Sequence, residues 1–470
     1  MTIGRTAVTA LLVGVLVSTL SGCDSDGEGS PDPAATGNTA DAPLRSRIAA
    51  PAAFDSAKGW EIEAAWLPEG QPFPYAVSAK AGKVAYLNRT ERGYVLNVRD
   101  GASGKLSWAS KPWQAPQLTK EQGEGPSWRL TVPRVTLVMG GEREYYAVWA
   151  YGEKSKDQLH EAEEVISAAF YPADASGSDI APHSTADVAA SIGTNSPDLR
   201  VFPGAKGLLV MPNSDDPTLV SPDGSATSVN APVKIGGEPV VPDNELALPG
   251  PAGLVTNGDR GSIGDAGGFG VDGGWHSTTV APSGADAVLK ENSIVNGIVT
   301  KPNGRIVGAA GSHLIASWNT GSGLISAVHD LGSGKVQATA TCDTVPTSYE
   351  VHAPKDTDRA DTPPALSPNG GYLVKGGTAF DLTTGRGYCA DSGENAKEIV
   401  LTCVGDDGLG YGLAEGDSTP RVPVTVSART GAAEPLPEAT EIPDALASGA
   451  GVFVTYAGQD TARLIVLNQR

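Results

Sequence analysis

Pro368-Asn369-Gly370-Gly371-Tyr372-Leu373-Val374, followed closely by Phe380-Asp381-Leu382-Thr383-Thr384-Gly385-Arg386-Gly387-Tyr388, holds the pattern on which the fold of this chain turns. Proline pre-sets one backbone angle, Asn-Gly supplies the positive φ of a tight hairpin, and an apolar strand follows at once. The same turn-then-strand unit recurs at Gly82-Lys83-Val84-Ala85-Tyr86, at Gly140-Gly141 before Tyr145-Tyr146-Ala147-Val148, and at Gly204-Ala205-Lys206-Gly207-Leu208-Leu209-Val210. It returns at Pro251-Ala252-Gly253-Leu254-Val255, Pro302-Asn303-Gly304-Arg305-Ile306-Val307, Asp406-Asp407-Gly408-Leu409 and Gly449-Ala450-Gly451-Val452-Phe453-Val454. Eight copies from Gly82 to Ala450 give an average step of about 53 residues, the size of a four-stranded antiparallel unit with its connections. Helical periodicity is nearly absent; only Asp157–Ala169 is ambiguous, and its end, Val165-Ile166-Ser167-Ala168-Ala169-Phe170-Tyr171, suits a strand equally well.

The second half of the opening stretch also repeats. Val98-Arg99-Asp100-Gly101-Ala102-Ser103-Gly104-Lys105-Leu106-Ser107-Trp108 is its clearest copy; Ser317-Trp318-Asn319-Thr320-Gly321 and Ala428-Arg429-Thr430-Gly431 are weaker ones. In such a turn the aspartate caps its own amides, glycine takes the left-handed position, and the aromatic beyond it packs between neighbouring sheets. This "strand, Asp-x-x-Thr-Gly-Lys, strand, aromatic" arrangement resembles the hairpin between third and fourth strands in the propeller repeats of pyrroloquinoline-quinone-dependent enzymes. The expected fold is therefore all-β: a β-propeller of eight four-stranded blades. Seven is the alternative, because 122–200 is irregular. After Gly451 the chain has room for only two more strands, Val452–Tyr456 and Ala462–Leu467. The alternating Trp60-Glu61-Ile62-Glu63-Ala64-Ala65-Trp66 is expected to supply the missing outer one and close the ring, removing open sheet edges.

The N-terminal part reads differently. Arg5 is the only charge before an apolar run that ends in Leu20-Ser21-Gly22-Cys23, the form of a secretory signal peptide over residues 1–22. The run is too short and too interrupted to be a membrane-spanning helix. The Leu-Ser-Gly-Cys ending resembles the bacterial lipobox, which implies diacylation of Cys23 and stable attachment through two acyl chains. Residues 23–50, rich in Gly, Ser, Pro, Asp and Ala, are expected to form a disordered tether, and 51–470 the propeller. The whole looks like the propeller lipoproteins of high-GC Gram-positive bacteria. It is expected outside the cytoplasm, held to the cell membrane by its lipid. A formal net charge of −20 argues against nucleic-acid binding.

With Cys23 acylated, Cys342, Cys389 and Cys403 remain, an odd number for an oxidising compartment. Cys403 alternates with Ile399 and Leu401 as a buried apolar side chain would, so Cys342–Cys389 is the expected disulfide, the other pairings staying open. His160-Glu161-Ala162-Glu163-Glu164 begins like a zinc-protease motif, but Glu164 stands where the second histidine ligand belongs. Pyrroloquinoline quinone sites in the resembled enzymes use adjacent cysteines, which this chain lacks, so no cofactor is expected. The Gly-rich segment 258–276, with Asp259, Asp265, Asp272 and His276, is expected to be a long loop over the top face and is the least bland cluster. Asn88-Arg89-Thr90 matches a glycosylation sequon without consequence for a bacterial lipoprotein.

No nucleophile–histidine pair is spelled out. The expected role is a monomeric, non-catalytic binding or scaffold module that meets a protein or peptide, with Trp113–Trp128 contributing. The alternative is a propeller enzyme, either a degenerate quinoprotein or a carbohydrate-acting hydrolase or lyase.

Overall fold

Antiparallel strands joined by tight turns fill the structure, a computed structural model that contains no helix among its described residues. It describes residues 43–470 except 69, 118–131, 156–161, 191–199, 212–216, 230–233, 236–237, 240, 252, 260–265, 272–273, 286–293, 296–297, 300–303, 320–322, 343–362, 391–396, 417–418 and 458–460. The expected signal segment and Cys23 lie outside them.

The strands group in chain order. The first sheet runs Tyr75–Ser78, Lys83–Thr90, Gly93–Asp100 and Leu106–Ser110, with Gly177–Ile180 added in parallel at its rim. The second is Arg134–Gly140, Arg143–Lys154, Glu163–Pro172 and Ser184–Ala189; the ambiguous segment is thus a strand. The third is Arg200–Gly204, Gly207–Met211, Thr218–Val220 and Ala226–Ser228. The fourth has Val241–Gly250, Gly253–Asp259 and Ala266–Val271, with His276 bridged to Gly270 where a fourth strand would lie. The fifth (Arg305–Ala310, His313–Asn319, Leu324–Asp330, Val336–Cys342) and sixth (Ala365–Leu366, Tyr372–Lys375, Thr378–Asp381, Arg386–Cys389) touch through their outer strands at Thr339 and Arg386. The seventh is Glu398–Val404, Leu409–Gly416, Thr419–Ser427 and Ala433–Pro435.

The last sheet takes Ala445–Ala447, Ala450–Ala457 and Thr461–Gln469 from the C-terminus and Phe54–Ala64 from the N-terminus. Trp60 pairs with Val466 and Ala64 with Ala462, so the two ends of the body hold each other by a full ladder. First strands of successive sheets pack against one another from the first sheet to the fifth and from the sixth to the last, the fifth and sixth share the apolar cluster of Val307, Ile315, Leu373 and Phe380, and Ala445–Ala447 packs back on Tyr75–Ser78. The sheets therefore close a ring, the architecture of a β-propeller.

Consistent with this, the apolar core is divided among the seams between sheets. Trp60, Leu464 and Val466 meet Val84 and Tyr86 across the closing seam. Leu248, Val255 and Phe269 meet Ile306, Leu314 and Trp318 across another. Alternation along each strand sends side chains into the seams on both faces, which explains why second strands such as Gly207–Met211 are buried throughout.

Three expectations need correction. The folded body begins before residue 51: Pro43 bridges to Trp60, the Ser46 amide donates to Glu61, and Leu44, Ile48 and Ala50 pack against the seam of Cys403, Tyr411 and Phe453. Those scattered apolar residues suffice because a surface is already there to receive them. Pro302-Asn303-Gly304 precedes the innermost strand of its sheet instead of following it; the hairpin matching the other copies is at Gly311, φ +58°. Ser317-Trp318-Asn319 ends a second strand, and the third-to-fourth hairpin of that sheet is Asp330-Leu331-Gly332-Ser333-Gly334-Lys335.

Candidate functional site

Strand direction alternates within each sheet and repeats between sheets, so the turns divide into two sets on opposite faces of the ring. One face carries the hairpins between first and second strands and between third and fourth strands. Most are short and close on themselves; the connection 173–183 of the second sheet is longer and lends Gly177–Ile180 to the rim of the first. Asp100 Oδ1 accepts from the Ser103 amide (2.9 Å) and hydroxyl (2.7 Å), and Asp330 Oδ1 from the Ser333 amide (2.8 Å) and hydroxyl (2.6 Å). Asp381 accepts from the Thr383 and Thr384 amides, and Asp223 from Ser225. The Ser333 hydroxyl and amide hold the Asp330 carboxyl below the usual range, and Ser225 does the same for Asp223. Burial works against this at Asp100, but Ser103 and Lys83 outweigh it and that carboxyl is also held low. These carboxylates are occupied by their own turns.

An aromatic from the preceding sheet locks several of these hairpins. Trp60 donates its indole N–H to Gly101 O at 2.8 Å, Trp275 to Gly332 O at 3.1 Å and Trp108 to Ala173 O at 3.4 Å. Gly104 (φ +68°) and Gly334 (φ +72°) lie directly under Trp60 and Trp275, where a Cβ would stand 2.7 Å from the indole ring; Tyr388 covers Gly431 in the same way. The residue just before the turn fills the seam beneath: Arg99, Tyr171, His329 and Phe380 are all buried. Arg99 donates to Tyr86 Oη (2.9 Å) and Gly104 O (2.7 Å), with its guanidinium 5.9 Å from the Trp60 ring. Burial raises the Tyr86 phenol in spite of the arginine, and raises Tyr171 to about 12.

The opposite face carries the links between sheets and the hairpins between second and third strands. Among the described residues these include 111–117, the start of the link from the first sheet to the second. In the described part of 111–133, Trp113 pairs with Tyr94 through two backbone hydrogen bonds, and Gln117 pairs with Glu153. Trp66 meets Tyr94 edge-on at 5.7 Å between ring centroids. The expected Trp113–Trp128 segment therefore starts on this face, its remainder lying outside the described residues.

The cluster expected over 258–276 is not one loop. Gly253–Asp259 and Ala266–Val271 are paired strands, Asn257 opposite Phe269, because alternate residues here fill the seam. Asp259 ends a strand, Asp265 and Asp272 lie outside the described residues, and His276 is fixed by its bridge to Gly270, with Nδ1 2.7 Å from the Thr278 hydroxyl. The glycines allow close strand packing: a Cβ at Gly270 would stand 2.8 Å from His276 Cβ. Sequence reasoning missed the Trp275 clamp on Gly334, although Asp330-Leu331-Gly332-Ser333-Gly334-Lys335 repeats the wording of Asp100-Gly101-Ala102-Ser103-Gly104-Lys105.

Cys342 and Cys389 form a disulfide, Cα–Cα 5.6 Å, across the outer rims of the fifth and sixth sheets. Cys403 is free and buried, its Sγ 3.3 Å from Pro443 O, and burial pushes the thiol pKa far up. Glu163 and Glu164 open a strand paired with Lys154 and Glu153; His160 and Glu161 lie outside the described residues. Among the described residues no three histidine, cysteine or carboxylate side chains group as metal ligands, and no helix is long and apolar enough to cross a membrane. The described histidines sit apart: His183 against Tyr145, His313 on Gln337, His276 on Thr278 and His329 on Gly334.

No protein-family model matches the sequence, and no curated protein matches it. Among solved structures the chain is similar to the Dos1 propeller, with 9% identity, 84% of this chain and 95% of that one covered, and a TM-score of 0.34. It is also similar to Hsv2p of Kluyveromyces lactis (10% identity, 85% and 98% covered, TM-score 0.32). A third is an uncharacterized protein of Listeria monocytogenes (5% identity, 78% and 95% covered, TM-score 0.31).

Proposed function

We propose that this chain is an exported, lipid-anchored propeller of eight four-stranded blades that works as a monomeric, non-catalytic binding or scaffold module at the outer face of the cytoplasmic membrane. Its partner is a protein or peptide, met on the face that carries the sheet-to-sheet connections. The observation that carries this reading is the asymmetry of the two faces. On one, short turns spend their polar side chains on their own backbone, as Asp100 and Asp330 do. On the other, a described link between sheets, 111–117, carries Trp113 beside Tyr94 and Trp66, and ligands of scaffolds of this kind are met by loops. The lipid anchor rests on Leu20-Ser21-Gly22-Cys23, and the resemblance to quinone-enzyme repeats on the Asp-x-x-Ser/Thr-Gly turns with their covering aromatics.

The test is crosslinking and mass spectrometry on membranes bearing the full chain, compared with a variant whose residues 118–131 are replaced by a Gly-Ser linker and with the turn variant Asp330→Ala. A partner lost with the linker and kept with the turn variant is the expected result. Turnover of a substrate with no enriched partner would refute the reading, as would a mature N-terminus other than a lipidated Cys23.

A further inference from the structure

His329 occupies, in the fifth sheet, the place that Arg99 occupies in the first. Each precedes the capping aspartate of its turn, each lies opposite the corresponding residue of the second strand (Leu314 and Val84), and each reaches the carbonyl of the turn's left-handed glycine. For His329 that contact is Nδ1 to Gly334 O at 2.9 Å, which makes Nδ1 the protonated nitrogen of the neutral ring. The surroundings differ. Tyr86, whose hydroxyl receives Arg99, is replaced in the fifth sheet by Ala316. His329 has no exposed surface, Nε2 has no hydrogen-bond partner, and the ring sits between Phe269 (6.2 Å between centroids) and Trp318 (5.5 Å). The same seam holds two more buried polar atoms without a partner, Trp318 Nε1 and Asn257 Nδ2, and both are donors.

We propose that His329 makes the seam between the fourth and fifth sheets an acid-sensitive joint of the ring, one that closes only over the neutral imidazole. Protonating Nε2 turns an acceptor into a donor among donors and buries a charge against aromatic rings. Among the described residues, the charged and titratable groups of the surrounding elements do not offset it. Asp330 is held by Ser333, His313 by Gln337 and His276 by Thr278. Arg305 and Lys335 are cations, and Asp259 ends its strand with a side chain outside the described residues. Burial accordingly lowers the pKa of His329 from 6.5, with the Gly334 carbonyl opposing it. The closed seam thus binds the proton more weakly than the open one. Stability from this group is complete above about pH 6.5 and falls as pH drops toward the closed-state value.

The experiment follows the full chain from pH 8 to 5 with selectively labelled histidine NMR and with hydrogen exchange of segments 266–285 and 305–335, corrected for intrinsic exchange. Exchange from the open seam is expected to rise about tenfold per pH unit below 6.5 while the closed-state His329 signal stays neutral. The variant His329→Phe, taking the residue that Phe380 supplies at the matching place in the sixth sheet, is expected to remove that rise. A wild-type His329 titrating near 6.5 with the seam protected would overturn the proposal, and that measurement needs no variant. An undiminished acid response in His329→Phe would overturn it as well.

Discussion

Consider the double variant Cys342→Ala/Cys389→Ala. Each cysteine ends the outer strand of its sheet, and those strands already touch in parallel at Thr339 and Arg386. The disulfide spans a separation of 47 residues. Cross-linking a loop of that length removes chain entropy from the unfolded state worth about 4 kcal/mol on the loop-closure model. At roughly 2.1 cal/mol/K of unfolding entropy per residue, a body this size gains about 0.9 kcal/mol per degree, so the melting temperature should fall by about 4–5 °C. Differential scanning calorimetry of the variant, and of wild type refolded with and without reductant, reads this directly. Reductant should lower the wild type to the variant's value and leave the variant unchanged, since Cys403 is the remaining thiol among the described residues. A fall of less than 1 °C, or a variant that still responds to reductant, would refute the reasoning. The first result would mean that the rim contacts alone restrict the chain.

Gly104→Ala and Gly141→Ala form a controlled pair, both at positive φ (+68° and +69°). Gly141 has open space around its missing Cβ, so only the left-handed backbone cost of about 1–2 kcal/mol is expected there. At Gly104 the Cβ would also strike Trp60, and urea denaturation should show a loss at least 1 kcal/mol larger, in the range of overpacked cores. Cys403, buried with its thiol pKa pushed up by that burial, should resist a thiol reagent in the native protein at pH 8 and react within seconds in denaturant.

Much of the architecture was legible because it rests on local chemistry. Gly82, Gly141, Gly370, Gly408 and Gly449 each mark a hairpin and each has positive φ, a requirement that only glycine meets cheaply. Asp100, Asp381 and their turns were readable for the same reason, as was Trp60–Ala64 closing the last sheet. The two misreadings in the fifth sheet share one cause. Arg305–Ala310 and His313–Asn319 are both short apolar strands beside a glycine turn, and period-two alternation does not say which is innermost. Segment 258–276 went astray because the glycine at 270, read as loop, instead permits the close approach of His276.

The sequence by itself determined what depends on neighbours along the chain: turn types, the all-β class, and an acidic, glycine-rich composition. Only the tertiary structure decided which aromatic covers which glycine, that residues 43–50 lie on the body, and that His329 and Arg99 hold the same place with different surroundings. Those contacts join residues from different sheets, Trp60 with Gly101 and Trp275 with Gly332 among them. Their energies come from desolvation in a shared seam, a quantity that does not exist until both sheets are in place.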